Sequence, residues 1–213
     1  MFWLLKKFVH WLLNIVFPIQ CLGCHRYDFW LCANCLNKIK AARVECPQCR
    51  QPSQNSQTCP DCRNQTALDR LIVWADYQNP LVQKSIHALK YGFVSGLTGT
   101  LGQGLAQQIL TSASPLPNNV VLIPVPLHWQ RRNERGFNQA ELLARSCADT
   151  LKLAYLPKAL KRIKYTLPQA TLSRHNRLTN LVSLFTLQPG LDFSGKIVII
   201  IDDVPVLTPG RFS

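Results

Sequence analysis

Acidic residues are scarce in this chain: 11 Asp and Glu stand against 24 Lys and Arg, a formal charge of +13. That balance points to polyanionic partners, either phosphorylated metabolites or nucleic acid, and charge alone does not choose between them. Also missing is a secretory signal. Met1 to Phe17 is almost wholly apolar, yet Lys6, Lys7, His10 and Asn14 recur at helical spacing as one narrow polar stripe, and Pro18 ends the segment without small residues at a cleavage site. The central lysines make a membrane span costly. The segment therefore reads as an amphipathic lead helix over 1–18, packed on the module behind it rather than on a membrane, and a cytoplasmic protein without a transmembrane segment is expected.

Periodic apolar residues are lacking from Cys21 to Cys62, where Cys, Asn, Gln, Pro and Arg dominate. An ordinary hydrophobic core cannot order such a stretch. What is there instead is cysteine: eight of the nine fall into four C-x2-C pairs, Cys21/Cys24, Cys32/Cys35, Cys46/Cys49 and Cys59/Cys62. A C-x2-C turn puts two thiolates on one side of a tight knuckle, and two knuckles close a tetrahedron around zinc. Four pairs can thus hold two structural zinc ions, with sequential pairing the simplest arrangement and interleaved pairing left open. A disulfide framework fits poorly without a secretion signal, and the loop-like setting does not suit a thioredoxin-type redox pair. Cys147 lies in a helical pattern and reads as a core residue. No internal repeat is visible beyond the cysteine pairs.

The 47% hydrophobic content suffices for one α/β core beside this Cys-rich ribbon over 19–66, and a body over 67–213 is expected. Leu71 to Tyr77 reads as a strand, Pro80 to Tyr91 and Leu97 to Leu110 as helices, and Ser112 to Asn119 as a loop. Val120 to Val125 reads as a buried strand, Asn138 to Leu151 as a helix, and Lys196 to Ile201 as a final buried parallel strand. The first of these strands breaks at Pro124 and Pro126, which forces an extended exit through Leu127 and leaves the next amides free for a ligand. His128, Arg131, Arg132 and Arg135 follow, then Gly136-Phe137-Asn138-Gln139 opens a helix. Spacing alone reads this equally well as a solvated basic face or as a phosphate site at a helix N-terminus.

The final strand runs into Asp202 and Asp203. Adjacent carboxylates at such a strand end suit a ribose, a magnesium ion, or both. A polar segment carrying Arg162, Thr166, Gln169, Leu172, Arg177 and Asn180 precedes it, in a position suited to a loop that moves over the sheet edge.

Taken together, Pro124-Val125-Pro126-Leu127, Arg135-Gly136-Phe137-Asn138-Gln139, the spaced Arg162, Thr166, Gln169, Arg177 and Asn180, Ile201-Asp202-Asp203-Val204 and the cysteine pairs closely resemble the ComF/GntX family. Its members are bacterial proteins with a zinc ribbon followed by a type I phosphoribosyltransferase-like domain, some of them associated with DNA uptake and use. The resemblance implies an α/β fold with a parallel sheet and, as ligand, phosphoribosyl pyrophosphate or another phosphorylated compound bound with Mg2+. Glycosyl transfer from that ligand displaces pyrophosphate through an oxocarbenium-like transition state, so cations are needed on the leaving group. The Pro126-Leu127 loop would supply amides and Arg135 a positive charge. Asp202 and Asp203 would meet the ribose hydroxyls and orient the magnesium. Arg162, Gln169 and Arg177 would lie on the closing loop.

One departure from the family stands out. The family follows its acidic pair with a T-T-G-A/S-T loop for the 5′-phosphate, whereas this chain continues Pro205-Val206-Leu207-Thr208-Pro209-Gly210-Arg211-Phe212-Ser213. Prolines remove amides where the cradle should donate them, so weak or absent catalysis is expected. A shifted reading frame, a coding sequence cut short and a protein that no longer catalyses each account for this. The alternative to an enzyme is a zinc-ribbon scaffold that binds single-stranded DNA or a competence partner, one of the DNA-uptake proteins.

Overall fold

The computed structural model describes residues 18–91, 94, 96–113, 115–164 and 184–203. The lead helix expected over Met1 to Phe17, the site residues Thr166, Gln169, Leu172, Arg177 and Asn180, and everything from Val204 onward lie outside the described residues. The ribbon contains one short helix, α1 (Ala33–Leu36), and two 3-10 turns, Gln54–Ser56 and Pro60–Gln65. The body then runs α2 (Pro80–Tyr91), α3 (Leu97–Ala113), β1 (Val120–Pro124), α4 (Trp129–Arg135), α5 (Gln139–Leu151), β2 (Ala154–Tyr155), β3 (Leu160–Arg162), β4 (Phe185–Leu187) and β5 (Ile197–Ile201).

β1 is the centre of a parallel sheet of order β2-β1-β5. In register, Val121 faces Ala154 on one side, and Val120 to Pro124 face Ile197 to Ile201 on the other. Successive side chains along a strand point to opposite faces, and both faces of β1 are used. Val120 and Leu122 join the main core with Leu143, Ala144, Cys147 and Ala148 of α5, while Val121 and Ile123 pack with Ala159, Leu156, Leu160 and Phe193. Parallel pairing requires a crossover between β1 and β2, and α4 and α5 supply it.

Three local features build that crossover. The Asn138 side chain accepts from the Ala140 N–H at 3.1 Å, capping α5, and its amide donates to the Val125 carbonyl at 3.0 Å, tying the helix start to the end of β1. Gly136 ends α4 with φ 73°, a left-handed conformation that a side chain would strain. In α3, Gly102 lets the helix approach α5 closely, since a Cβ there would come within 2.5 Å of Ser146. The glycines that make α3 a weak helix on propensity alone are therefore offset by tertiary packing of Leu97, Leu101, Ala106 and Ile109.

Three expectations are corrected. Leu71 to Tyr77 is no strand: it is an irregular strap with a single bridge to the ribbon, Ala75 with Ala41, following the bridge of Arg70 with Gln57 just before it. It finds no strand partner because the ribbon offers only turns. The final strand is parallel but not buried, for Ile200 is 58% and Ile197 46% exposed. Among the described residues β5 pairs on one side only, and its alternation sends Ile199 and Ile201 to the main core while Val198 and Ile200 face outward. The Ser112 to Asn119 loop is also shorter than expected, because α3 continues to Ala113.

The first half of the ribbon is part of the body's core. Cys21, Leu31, Cys32 and Cys35 share one apolar cluster with Val82, Ile86 and Leu89 of α2 and Leu97 of α3. Cys46 and Cys62 are buried but stand outside that cluster. Among the described residues, no helix is long and apolar enough to cross a membrane.

Candidate functional site

Two four-cysteine groups form, Cys21/Cys24/Cys32/Cys35 and Cys46/Cys49/Cys59/Cys62, with the sulfurs of each group within 4.8 Å of one another. This is sequential pairing, and all eight cysteines are free thiols. Cys24 and Cys32 place their sulfurs 3.5 Å apart, Cys49 and Cys59 3.8 Å apart. A tetrahedron of Zn–S bonds requires sulfurs about 3.8 Å apart, so both donor sets fit structural zinc.

The two halves repeat in backbone as well as in cysteines, which the spacing alone does not reveal. Cys21 N–H donates to the Arg26 carbonyl at 2.9 Å and Cys46 N–H to the Gln51 carbonyl at 2.8 Å. His25 and Arg50 take the same left-handed turn position, with φ 59° and 65°. Charge on the sulfurs follows the same pattern. Burial pushes the Cys21 thiol up, but the N–H groups of Cys32, Cys24 and Gly23 outweigh it and bring its pKa to about 6. Cys46 likewise falls to about 6 against its burial, through the N–H groups of Cys49, Cys59 and Gln48. Burial and then the neighbouring thiols push Cys35 up to about 12, and contact with Cys59 followed by burial does the same to Cys62. Each knuckle thus favours a thiolate that its neighbours oppose, a conflict that a dication at the centre removes.

The second constellation gathers at the C-terminal edge of the parallel sheet. Val125 N–H donates to the Ile201 carbonyl at 2.9 Å, which brings the Pro126-Leu127 loop beside the acidic pair. Asp203 N–H donates to an Asp202 carboxylate oxygen at 2.8 Å. Crowding by protein and then the like charge of Asp203 raise the Asp202 pKa to about 6. Because part of Asp202 remains open to solvent, the neighbouring charge is the firmer cause. Arg162, at the end of β3, stacks on Phe185 with its guanidinium 5.7 Å from the ring centre. Burial and the charge of Arg131 lower its pKa while Asp202 opposes them, so the expected loop arginine lies within electrostatic reach of Asp202. β3 and β4 pair antiparallel, from Leu160 with Leu187 to Arg162 with Phe185, and so bracket the polar segment between them.

Arg135 turns instead toward α2 and α5. It donates to Gln139 Oε1 at 3.2 Å and lies 5.2 Å from the Tyr91 ring centre. Arg132 of the same basic run pairs with Glu141 at 3.4 Å.

Sequence reasoning missed the last turn of α2. Lys90 Nζ lies 3.1 Å from an Asp203 carboxylate oxygen, and Tyr91 stacks on His87 at 4.8 Å beneath Arg135. The signal was present as a Lys-Tyr pair closing an amphipathic helix, but nothing in its spacing connects it to a strand end more than a hundred residues later.

Comparison with known proteins agrees with both constellations. The double zinc ribbon domain matches residues 12–64. The DNA utilization protein YhgH of Escherichia coli K12 is 33% identical over 181 residues, covering 82% of this chain and 77% of that protein. Competence protein F of Haemophilus influenzae is 29% identical over 198 residues, 88% of this chain and 85% of the relative. Competence protein ComFC of Bacillus subtilis is 28% identical over 130 residues, 57% of this chain and 52% of the relative. No solved structure matches the chain. With a double ribbon of eight paired cysteines, a parallel sheet ending in Asp202-Asp203 and these relatives, the chain belongs to the ComF family.

Proposed function

We propose that the α/β body binds a phosphorylated sugar ligand of the phosphoribosyl pyrophosphate class and that it does so in the service of DNA use. The observation that supports this most is that Asp202 and Asp203 follow β5 at the C-terminal edge of a parallel sheet, beside the Pro126-Leu127 loop and with Arg162 within electrostatic reach of Asp202. In open α/β sheets that edge is where ligands bind. The two carboxylates suit vicinal ribose hydroxyls, and their adjacent charges suit a magnesium ion. Bound there, magnesium would supply positive charge to a departing pyrophosphate. Arg162 would add charge from the end of β3, and the loop amides would orient the anion. Gln169 and Arg177 belong to this reading as residues of the polar segment between β3 and β4. The link to DNA rests on the names of the relatives, a DNA utilization protein and two competence proteins.

Calorimetric titration of the zinc-loaded chain with phosphoribosyl pyrophosphate, with and without Mg2+, tests the ligand. Magnesium-dependent binding that falls at least tenfold in Asp202→Asn/Asp203→Asn is expected. No binding at millimolar ligand, or binding indifferent to both carboxylates, overturns the assignment. Pyrophosphate release, assayed separately, decides whether bound ligand is turned over.

A second reading, direct contact with single-stranded DNA, draws on the ribbon surface. Tyr27 and Phe29 are 58% and 49% exposed beside Arg26, and bases stack on such aromatics while basic groups track the backbone. Affinity for an oligonucleotide that falls steeply with salt and drops in Tyr27→Ala/Phe29→Ala supports it; a flat salt response removes it.

A further inference from the structure

The acidic pair is already engaged. Lys90 Nζ sits 3.1 Å from Asp203, and the two side chains are only 22% and 11% exposed, so this ion pair is partly withdrawn from water. Lys90 reaches the pair from the last turn of α2, where its charge also faces the negative end of the helix. On the other side, Asp203 offers its backbone N–H to Asp202 rather than a further positive charge. Among the described residues, Lys90 is thus the cation that balances Asp203, standing where a divalent ion on the same carboxylate would stand. An ammonium and a divalent cation cannot share one carboxylate without mutual repulsion.

We propose that Lys90 is a positioning residue that makes the acidic pair accept a divalent cation only together with an anionic, phosphate-bearing ligand. This deepens the phosphorylated-ligand reading above and rests on it for the ligand's identity. A cation arriving alone must displace Lys90 from Asp203 and leave a half-buried ammonium without its close counter-charge, which is costly. A cation arriving with phosphate oxygens gives Lys90 a new partner as it gives up the old one, and phosphate is a strong acceptor for an ammonium. Cation and anion binding are thereby linked, and linkage is reciprocal.

The test uses the full zinc-loaded chain, Mn2+ as the cation and inorganic pyrophosphate as the anion, with bound Mn2+ read by electron paramagnetic resonance and pyrophosphate by calorimetry. In the wild type, Mn2+ alone should bind weakly and pyrophosphate should tighten it about tenfold. Lys90→Gln should bind Mn2+ alone about tenfold more tightly and lose most of the pyrophosphate enhancement. Lys90→Arg should restore the wild-type pattern. A structural role would weaken both ligands together and lower the melting temperature, which overturns the proposal, as does unchanged Mn2+ affinity in Lys90→Gln. Should Lys90→Gln fail to fold, the wild-type experiment still decides, since absence of pyrophosphate enhancement overturns the proposal. Enhancement by pyrophosphate with no binding of phosphoribosyl pyrophosphate sinks the sugar ligand and upholds the role of Lys90.

Discussion

The backbone N–H of Cys59 donates to the Sγ of Cys46 at 3.4 Å across the second knuckle pair, repeating the 3.3 Å bond from Cys32 to Cys21 in the first. Each bond crosses from one C-x2-C turn to its partner turn, so each zinc site is a single cooperative unit. The two units differ in what surrounds them: among the described residues, the cysteines of the first share the apolar core of the body and those of the second do not.

Purified protein should therefore carry two zinc ions, measured by atomic emission. Cys46→Ser should hold one and leave the α/β body's melting transition within a few degrees of wild type. Cys21→Ser should also hold one but lose the body's cooperative transition, since the cluster around Val82, Ile86 and Leu89 loses its ribbon side.

Thiol reactivity should fall into two classes. Cys147 is fully buried in α5, and burial pushes its pKa to about 12, so almost no thiolate exists at pH 8. In Cys46→Ser, which keeps the body's core, a thiol reagent should label Cys49, Cys59 and Cys62, and Cys147 only after denaturant is added. Early labelling of Cys147, identified by peptide mass mapping, would contradict its place in the core.

Gly102→Ala should destabilise the body by about 1–3 kcal/mol, the usual cost of overpacking, because the new Cβ meets Ser146. Adding Ser146→Gly should recover part of that loss, read by urea denaturation. Equal losses from the single and double variants would place the clash elsewhere.

Stability should respond to pH through Asp202. Its folded pKa of about 6 lies above the ordinary 3.8, so the stability it contributes is present below pH 3.8 and lost as pH rises through 6. Asp202→Asn should thus stabilise the zinc-loaded, magnesium-free protein at pH 8 by about 1 kcal/mol, a figure reduced for the solvent at its open face, and change little at pH 4. The replacement keeps an oxygen for the Asp203 N–H, so a loss of stability at pH 8 would show that repulsion within the pair is not what raises this group.

Local rules account for much of this protein. Four C-x2-C knuckles determine two thiolate sites, because a tight turn can present two sulfurs to one ion whatever lies around it. The apolar run of β1, the break at Pro124 and Pro126, and the Asn138 cap are written in single residues whose preferences do not depend on distant contacts. Tertiary structure decided the rest. Sequential pairing of the knuckles, Leu71 to Tyr77 as a strap rather than a strand, and the exposed face of β5 all depend on which neighbour supplies hydrogen bonds or cover. Lys90 shows the limit most plainly. Its place against Asp203 comes from packing α2 beside the end of β5, and an ion pair between residues so far apart in the chain leaves no periodicity in the sequence to read.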